Sequence, residues 1–196
     1  MSQHANSDPS RRRWLAATSI TGGAGVVAAA VPFAASMAPS ERARAAGAPV
    51  EVPIGGLPPG GLRTVEWRGK PIFVLRRSAE MLGALRAHDH LLADPASRES
   101  IQPAYAANPN RSIRDDVLVL EAICTHLGCI PTFRPDQGAA DIGGVWPGGF
   151  YCPCHGSKFD FAGRVFRNVP APTNLTVPPY RFATDSTLVI GEDAGA

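Results

Sequence analysis

The four cysteines of this chain are confined to two short segments, and their placement is the strongest constraint on its fold. The segments are Cys124-Thr125-His126-Leu127-Gly128-Cys129 and Cys152-Pro153-Cys154-His155-Gly156-Ser157, which also hold two of the five histidines. Each segment is rich in turn formers and follows an apolar strand candidate. This pattern favours two loops that project side by side from one end of a sheet. Any fold must therefore account for all four cysteines in this one region.

The rest of residues 62–196 has the pattern of a small β domain. Apolar residues make up 44% of the 196 residues, which excludes disorder, and the 20 glycines and 19 prolines favour turns and short strands over a helical bundle. The dipeptide Arg68-Gly69 predicts a hairpin, and Ser78 is a suitable N-cap for one short helix that ends before Asp94-Pro95. Strand candidates are residues 63–67, 70–75, 117–123, 145–146, 150–151, 164–166, 180–182 and 188–190. We predict a mostly β fold, an antiparallel sandwich or small barrel with two loops at its tip.

The N-terminal segment predicts membrane insertion or export. The 27 residues from Trp14 to Ser40 carry no charge and follow three consecutive arginines. About 22 helical residues would cross a hydrocarbon core of about 30 Å. The run Ser10-Arg11-Arg12-Arg13-Trp14-Leu15 resembles the twin-arginine export signal, and the segment is compatible both with a retained anchor and with a signal peptide cleaved near residues 43–47.

The expected organisation has four parts. Residues 1–13 are a cytoplasmic N-terminal tail, residues 14–40 a transmembrane helix, and residues 41–61, which are rich in Ala, Gly and Pro, a flexible hinge. Residues 62–196 form a periplasmic domain, with a subdomain at about 117–172 that carries both cysteine segments. Because residues 45–196 carry a formal charge of −1, the folded part is not expected to bind nucleic acid.

Four arrangements of the cysteines and histidines compete. Two disulfides would leave both histidines unexplained. A zinc site is disfavoured by the spacing, because zinc ligands usually occur as C-x(2–4)-C and H-x(3–5)-H. A thioredoxin-like site needs C-x-x-C at a helix start, which is absent here. The fourth arrangement uses every residue: one Cys and one His from each loop hold a two-iron cluster, and the remaining two cysteines are joined.

This fourth arrangement is the signature of the Rieske iron-sulfur proteins, in which two imidazoles replace two thiolates on one iron and raise the reduction potential. The chain resembles the Rieske subunit of the cytochrome bc complex, a quinol:cytochrome c oxidoreductase. The two loops carry most of the specificity, and an arginine-led N-terminal segment supports the likeness. Further matching segments are Trp67-Arg68-Gly69-Lys70-Pro71, Gln102-Pro103-Ala104-Tyr105, Phe159-Asp160, Gly163-Arg164, Pro170-Ala171-Pro172, Asn174-Leu175 and Val177-Pro178-Pro179-Tyr180.

The resemblance implies a complete set of cluster ligands. Cys124 and Cys152 would bind one iron as thiolates, and His126 and His155 would bind the other iron as imidazoles. The imidazole matching His155 faces the quinol in the family and accepts its proton. The resemblance therefore implies a [2Fe-2S] cofactor, and partners that are quinol, cytochrome b and a c-type cytochrome at the bacterial inner membrane.

The resemblance also assigns residues that support the cluster. Cys129 and Cys154 would form a disulfide that clamps the two loops, Leu127 would cover the cluster, and Ser157 would donate a hydrogen bond to a bridging sulfur. High-potential members carry Tyr where this chain has Phe159, and a lost donor to a negative sulfur disfavours the reduced cluster. We therefore expect a midpoint potential in the lower or middle part of the range of about −150 to +300 mV.

Two other functions remain as alternatives. One is the Rieske small subunit of another exported oxidoreductase, such as arsenite oxidase. The other is a zinc-stapled binding module without a redox role. The two histidines of His88-Asp89-His90 also resemble a pair of metal ligands. They lie at a polar helix end far from any cysteine, and we interpret them as surface residues.

Overall fold

A computed structural model of the chain describes residues 9–193. The chain divides into two units, residues 1–44 and residues 45–196. Residues 1–8 of the predicted cytoplasmic tail lie outside the described residues.

The first unit is dominated by one helix, α1 (Pro9–Ser36), of 28 residues. Proline is favoured in the first turn of a helix because its missing N–H would be unpaired there in any case. At 1.5 Å per residue the helix is about 42 Å long, more than the thickness of a hydrocarbon core. Its length and composition are therefore sufficient for a membrane span, although a signal sequence meets the same criteria. A short helix, α2 (Glu41–Ala46), follows.

The described residues of the second unit form three antiparallel sheets of three strands each, in the orders β1-β9-β8, β2-β3-β4 and β5-β6-β7. This agrees with the mostly β fold predicted from the sequence. The strands are β1 (Val50–Pro53), β2 (Leu62–Trp67), β3 (Lys70–Arg76), β4 (Val117–Glu121), β5 (Thr132–Arg134), β6 (Gly149–Cys152), β7 (Ser157–Phe159), β8 (Tyr180–Thr184) and β9 (Thr187–Ile190).

The predicted hairpin is present as β2 and β3, which pair from Leu62↔Leu75 to Trp67↔Lys70. Arg68 adopts a positive φ of 53° in the turn. The predicted helix is α3 (Ala79–Ala87), and the Ser78 hydroxyl accepts a hydrogen bond from the Met81 N–H at 3.4 Å, as expected of an N-cap. A single 3-10 turn, Asp89–Leu91, continues the chain beyond α3.

The structure differs from the expected hinge in both halves of residues 41–61, because residues 41–46 form α2 and residues 50–53 form β1. Strand β1 pairs with β9, and Val52 and Ile54 are buried in the domain core. Alternating apolar side chains in this short run find a partner strand far along the chain, which the local Gly and Pro content did not reveal. The segment available as a tether is therefore shorter than residues 41–61.

Two predicted strands are also absent from the described sheets. Residues 145–146 lie in a loop, where the Trp146 carbonyl accepts a hydrogen bond from the Gly138 N–H at 2.8 Å. Residues 164–166 form only isolated bridges, in which Val165 pairs with Phe159 and Phe166 with Leu92. Trp146, Val165 and Phe166 are buried, whereas Val145 is exposed, and burial of an apolar side chain does not by itself require a strand.

Aromatic contacts join sheet β2-β3-β4 to sheet β5-β6-β7, which carries the second cysteine segment. The rings of Phe73 on β3 and Phe150 on β6 stack with centroids 5.4 Å apart. Phe133 on β5 contacts both Phe150 and Phe161. Sheets β5-β6-β7 and β2-β3-β4 therefore pack on the same hydrophobic core.

Candidate metal centre

The first cysteine segment is a closed turn that begins shortly after β4. The Cys124 N–H donates to the Cys129 carbonyl at 2.8 Å, and the Gly128 N–H donates to the Cys124 carbonyl at 3.0 Å. Gly128 has a φ of +83°, a left-handed conformation that glycine adopts without strain. Glycine at this position therefore allows the loop to return on itself.

The second segment has the same closure. Cys152 is the last residue of β6 and pairs with Ser157, the first residue of β7. The Gly156 N–H donates to the Cys152 carbonyl at 3.0 Å, and Gly156 has a φ of +76°. In both loops a cysteine carbonyl thus accepts a bond from a left-handed glycine four residues later.

The structure brings the two loops together through a disulfide. Cys129 and Cys154 are joined, with their Cα atoms 6.7 Å apart. This is the pair that the resemblance implies. Cys124 and Cys152 are free and buried. The sulfur of Cys152 lies within 4.8 Å of both disulfide sulfurs, so this free thiol lies beside the disulfide.

The two histidines of the loops face each other. The ring centroids of His126 and His155 are 4.7 Å apart, and the rings are perpendicular, at 89°. His155 is exposed and His126 is half-buried. Within the described part of the chain, neither ring forms a hydrogen bond. Their nitrogens are therefore available to a ligand.

The thiols lie in a poorly solvated environment. Burial raises the pKa of Cys152, and the adjacent Cys124 raises that pKa further. A buried thiolate is unfavourable without a compensating charge, whereas a bound metal cation favours deprotonation of a coordinating thiol. The pair is therefore suited to hold a cation between the loops.

Comparison with known proteins places this site in a family. Residues 50–180 match the family described as Rieske [2Fe-2S] domain, and residues 1–40 match the TAT signal of the ubiquinol-cytochrome c reductase Fe-S subunit. The ubiquinol-cytochrome c reductase iron-sulfur subunit of Allochromatium vinosum is 58% identical over 186 residues, which cover 95% of this chain and 90% of that protein. The chain belongs to the family of Rieske iron-sulfur subunits.

A second relative agrees with this assignment. The ubiquinol-cytochrome c reductase iron-sulfur subunit of Blastochloris viridis is 42% identical over 194 residues, covering 97% of this chain and 98% of that protein. A chain of a solved hyperthermophilic respiratory Complex III is 27% identical with a TM-score of 0.49, covering 90% of this chain and 98% of that chain.

The residues present fit the Rieske [2Fe-2S] cofactor of this family. Such a centre needs two thiolates and two imidazoles, because two histidines replace two cysteines on one iron. The loops supply this donor set: the free thiols of Cys124 and Cys152, and the imidazoles of His126 and His155. The other two cysteines are occupied by the disulfide. No donor is missing and none of the four cysteines is left over.

The predicted supporting residues of the Rieske site occupy different environments. Leu127 is 71% exposed at the end of the first loop. Ser157 is buried and its hydroxyl accepts a hydrogen bond from the Ala171 N–H at 3.1 Å, which leaves the hydroxyl proton free to be donated. Phe159 is fully buried on β7, paired with Phe150. The segment Pro170-Ala171-Pro172 thus contacts the site directly.

One contact at the site was missed by the sequence analysis. The Thr125 hydroxyl, next to Cys124, donates to the Thr173 carbonyl at 2.7 Å. Together with the bond from Ala171 to Ser157, it ties the segment 170–173 to both loops. A threonine inside a turn is a recognisable donor, but its acceptor, 48 residues away, could not be identified from the sequence.

The His88-Asp89-His90 segment lies on the surface, as expected. His88 is half-buried, while Asp89 and His90 are exposed. Asp89 forms a salt bridge with Arg164 at 2.8 Å. The Asp89 carboxylate therefore has a structural partner, and the segment is not part of the Rieske site.

Proposed function

We propose that the chain is the electron-carrying Rieske subunit of a quinol:cytochrome c oxidoreductase, taking one electron from quinol and passing it to a c-type cytochrome. The observation that carries this proposal is the meeting of the two loops, which leaves two free thiols and two facing imidazoles beside one disulfide. The 58% identity to a ubiquinol-cytochrome c reductase iron-sulfur subunit over most of both chains supports the same function. The chain is then a subunit of an oxidoreductase and not a complete enzyme.

Cys124 and Cys152 would hold one iron, and His126 and His155 the other. When bound, the [2Fe-2S] group supplies reversible one-electron chemistry at a potential raised by the neutral imidazole ligands. The disulfide and the two glycine-closed turns keep the four donors in place. The buried thiols exclude water from the inner side of the site, and the imidazoles form its outer side.

His155 is the candidate proton acceptor. Its ring is exposed and has no hydrogen-bond partner among the described residues, so a bound quinol hydroxyl can reach a ring nitrogen. A proton accepted there balances the electron that leaves the quinol. Leu127, exposed beside the histidines, gives the tip an apolar surface suited to the quinone ring.

The proposed location follows from the N-terminal helix. Helix α1 would anchor the chain in the bacterial inner membrane, with Arg11, Arg12 and Arg13 on the cytoplasmic side and residues 45–196 in the periplasm. Cytochrome b, which binds the quinol, and a c-type cytochrome would be the partners. The match of residues 1–40 to the TAT signal supports export of the folded domain.

The test uses the full chain purified from membranes. We expect equal amounts of iron and acid-labile sulfide with about two irons per chain, a brown colour, and a paramagnetic resonance signal with low average g after reduction. Substitution of either His126 or His155 should abolish or alter this signal. A colourless, zinc-containing and spectroscopically silent protein would overturn the proposal.

Co-purification distinguishes the proposed complex from another exported oxidoreductase. The chain should purify with b- and c-type haem and with quinol:cytochrome c reductase activity. A brown chain that purifies instead with a molybdenum subunit would keep the cluster but refute the proposed partners.

A further inference from the structure

Three arginines are buried in the domain away from the ligand loops. Arg77, Arg111 and Arg164 are 3%, 0% and 1% exposed. Burial of a cation is costly unless it is paired or fully hydrogen-bonded. All three side chains contact the same short segment, residues 160–164, which directly follows β7.

This segment is a tight turn whose carbonyls face the guanidinium groups. Arg77 Nη1 lies 3.4 Å from the Phe161 carbonyl oxygen. Arg111 Nη1 lies 3.2 Å from the Ala162 and 3.3 Å from the Gly163 carbonyl oxygen. Three consecutive carbonyls therefore accept hydrogen bonds from two buried arginines.

The three arginines differ in charge compensation. Arg164 forms salt bridges with Asp160, which is also buried, and with Asp89. Within the described part of the chain, Arg77 and Arg111 form no salt bridge. Their remaining partners are the carbonyls of Asn110 and Asp115, the Ser112 hydroxyl and the Gln102 side-chain oxygen.

Both unpaired arginines remain charged at neutral pH. Burial lowers the pKa of each to about 10, although Asp160 acts on both in the opposite direction, as do Asp94 on Arg111 and Asp115 and Asp116 on Arg77. Asp160 is the only one of these carboxylates that is itself buried. The interior behind the Rieske site therefore carries excess positive charge.

This charge lies within electrostatic reach of the site. Ser157 borders the ligand loop, and the turn begins three residues later, which in extended chain is about 10 Å. The side chains of Phe150 on β6, Phe159 on β7 and Phe161 in the turn are buried and apolar. A Coulomb interaction falls only as the inverse of distance and is weakly screened in such an interior.

We propose that Arg77 and Arg111 raise the reduction potential of the cluster by acting as buried positive charges behind it. The inference rests on the proposed function, since it requires the cluster to be present. Reduction adds one negative charge at the site, and a buried cation stabilises the reduced form relative to the oxidised form. The arginines would thus partly offset the missing hydroxyl at Phe159.

The test compares Arg111→Met with Arg111→Lys in the full, cluster-containing chain, with Arg98→Met as the matched control because Arg98 is exposed. The midpoint potential is measured by redox titration at low and high ionic strength. Arg111→Met should lower the potential at both ionic strengths, Arg111→Lys should restore most of it, and Arg98→Met should leave it close to that of the parent. The g values should stay unchanged, because no ligand moves.

A second variant keeps the buried Arg111 and offsets its positive charge with a carboxylate. Arg111 Nη2 donates to the Gln102 side-chain oxygen at 3.2 Å, so Gln102→Glu would place a carboxylate beside this guanidinium group. The substitution also removes the hydrogen bond from the Gln102 amide to the Ser97 carbonyl. It should also lower the potential, and it decides the question if Arg111→Met fails to hold the cluster. The inference is overturned if Arg111→Met retains the cluster and has the potential of the parent. If Arg111→Met loses the cluster, the parent potential in Gln102→Glu overturns it. A decrease in potential as large in Arg111→Lys as in Arg111→Met also overturns it. A parent chain without iron would instead refute the proposed function.

Discussion

The polar groups near the two ends of strand β7 differ in whether they have hydrogen-bond partners. At one end, Ser157 borders loops whose facing histidine rings have no hydrogen-bond partner among the described residues. At the other end, the Asp160 carboxylate accepts bonds from the Ala162 and Arg164 N–H groups at 2.9 and 2.8 Å and pairs with the Arg164 side chain. Donors left unpaired at an exposed tip are available to a cofactor, whereas a fully partnered turn inside the domain supports the fold.

This contrast predicts that the largest effect comes from removing a ligand at the tip. Cys152→Ser should abolish cluster binding, because a neutral hydroxyl is a poor substitute for a thiolate on iron. The measurement is iron content and visible absorption of the full chain. Ser157→Ala is the matched control: it removes a hydroxyl next to the loop but leaves all four ligands, so the protein should stay brown with a lower midpoint potential. An iron-loaded Cys152→Ser protein with the parent spectrum would show that Cys152 is not a ligand.

The next largest effect is expected at the opposite end of β7, on folding. Asp160→Asn leaves the buried Arg164 without its buried ion-pair partner, and loss of one member of such a pair costs about 3–5 kcal/mol. The measurement is the free energy of unfolding of the full chain in urea. Asp136→Asn, which removes an exposed partner of Arg134, should cost much less. Equal losses in the two variants would mean that the turn is not a structural anchor.

The disulfide, which joins the two loops at the tip, gives a third prediction. A Cys129→Ser, Cys154→Ser double variant removes a link between residues 25 apart in sequence and should cost about 3 kcal/mol of unfolding free energy in the chain-entropy model. Reduction of the parent with a thiol should give a similar loss. Thr125→Val, which deletes only the loop hydrogen bond to Thr173, should cost about 1 kcal/mol. A double variant no less stable than Thr125→Val would show that the disulfide does not clamp the loops.

The tip was largely predictable from the sequence, because its chemistry is local. The spacing of cysteine, histidine and glycine within each loop indicated the donors, and Arg68-Gly69 and Ser78 indicated the hairpin and the helix start. The interior was not predictable in the same way. Nothing in the sequence around Arg77 and Arg111 distinguishes them from solvent-exposed arginines. Some of their acceptors are carbonyls of a turn that lies 84 residues from Arg77 and 51 or 52 residues from Arg111.

Strand β1 was missed for the same reason. A short run with few apolar residues becomes a strand only because β9, at the other end of the domain, offers a free edge. The alternation of apolar residues over so short a run is too weak to predict a strand, and the sequence does not reveal the distant partner strand. The ligand roles of the four donors, in contrast, remain predictions that only a loaded protein tests.

The smallest expected effect concerns Phe159, the last residue of β7. Phe159→Tyr should raise the midpoint potential, because a hydroxyl donating to a ligand sulfur stabilises the more negative, reduced cluster. Phe161→Tyr is the matched control, since it adds a hydroxyl to another buried ring two residues further from the ligand loops and should change the potential less. Redox titration of both variants separates a local hydrogen bond from a general increase in polarity. A Phe159→Tyr potential at or below that of the parent would rule out the missing hydroxyl as the cause of a low potential, and equal increases in both variants would favour polarity over a specific donor.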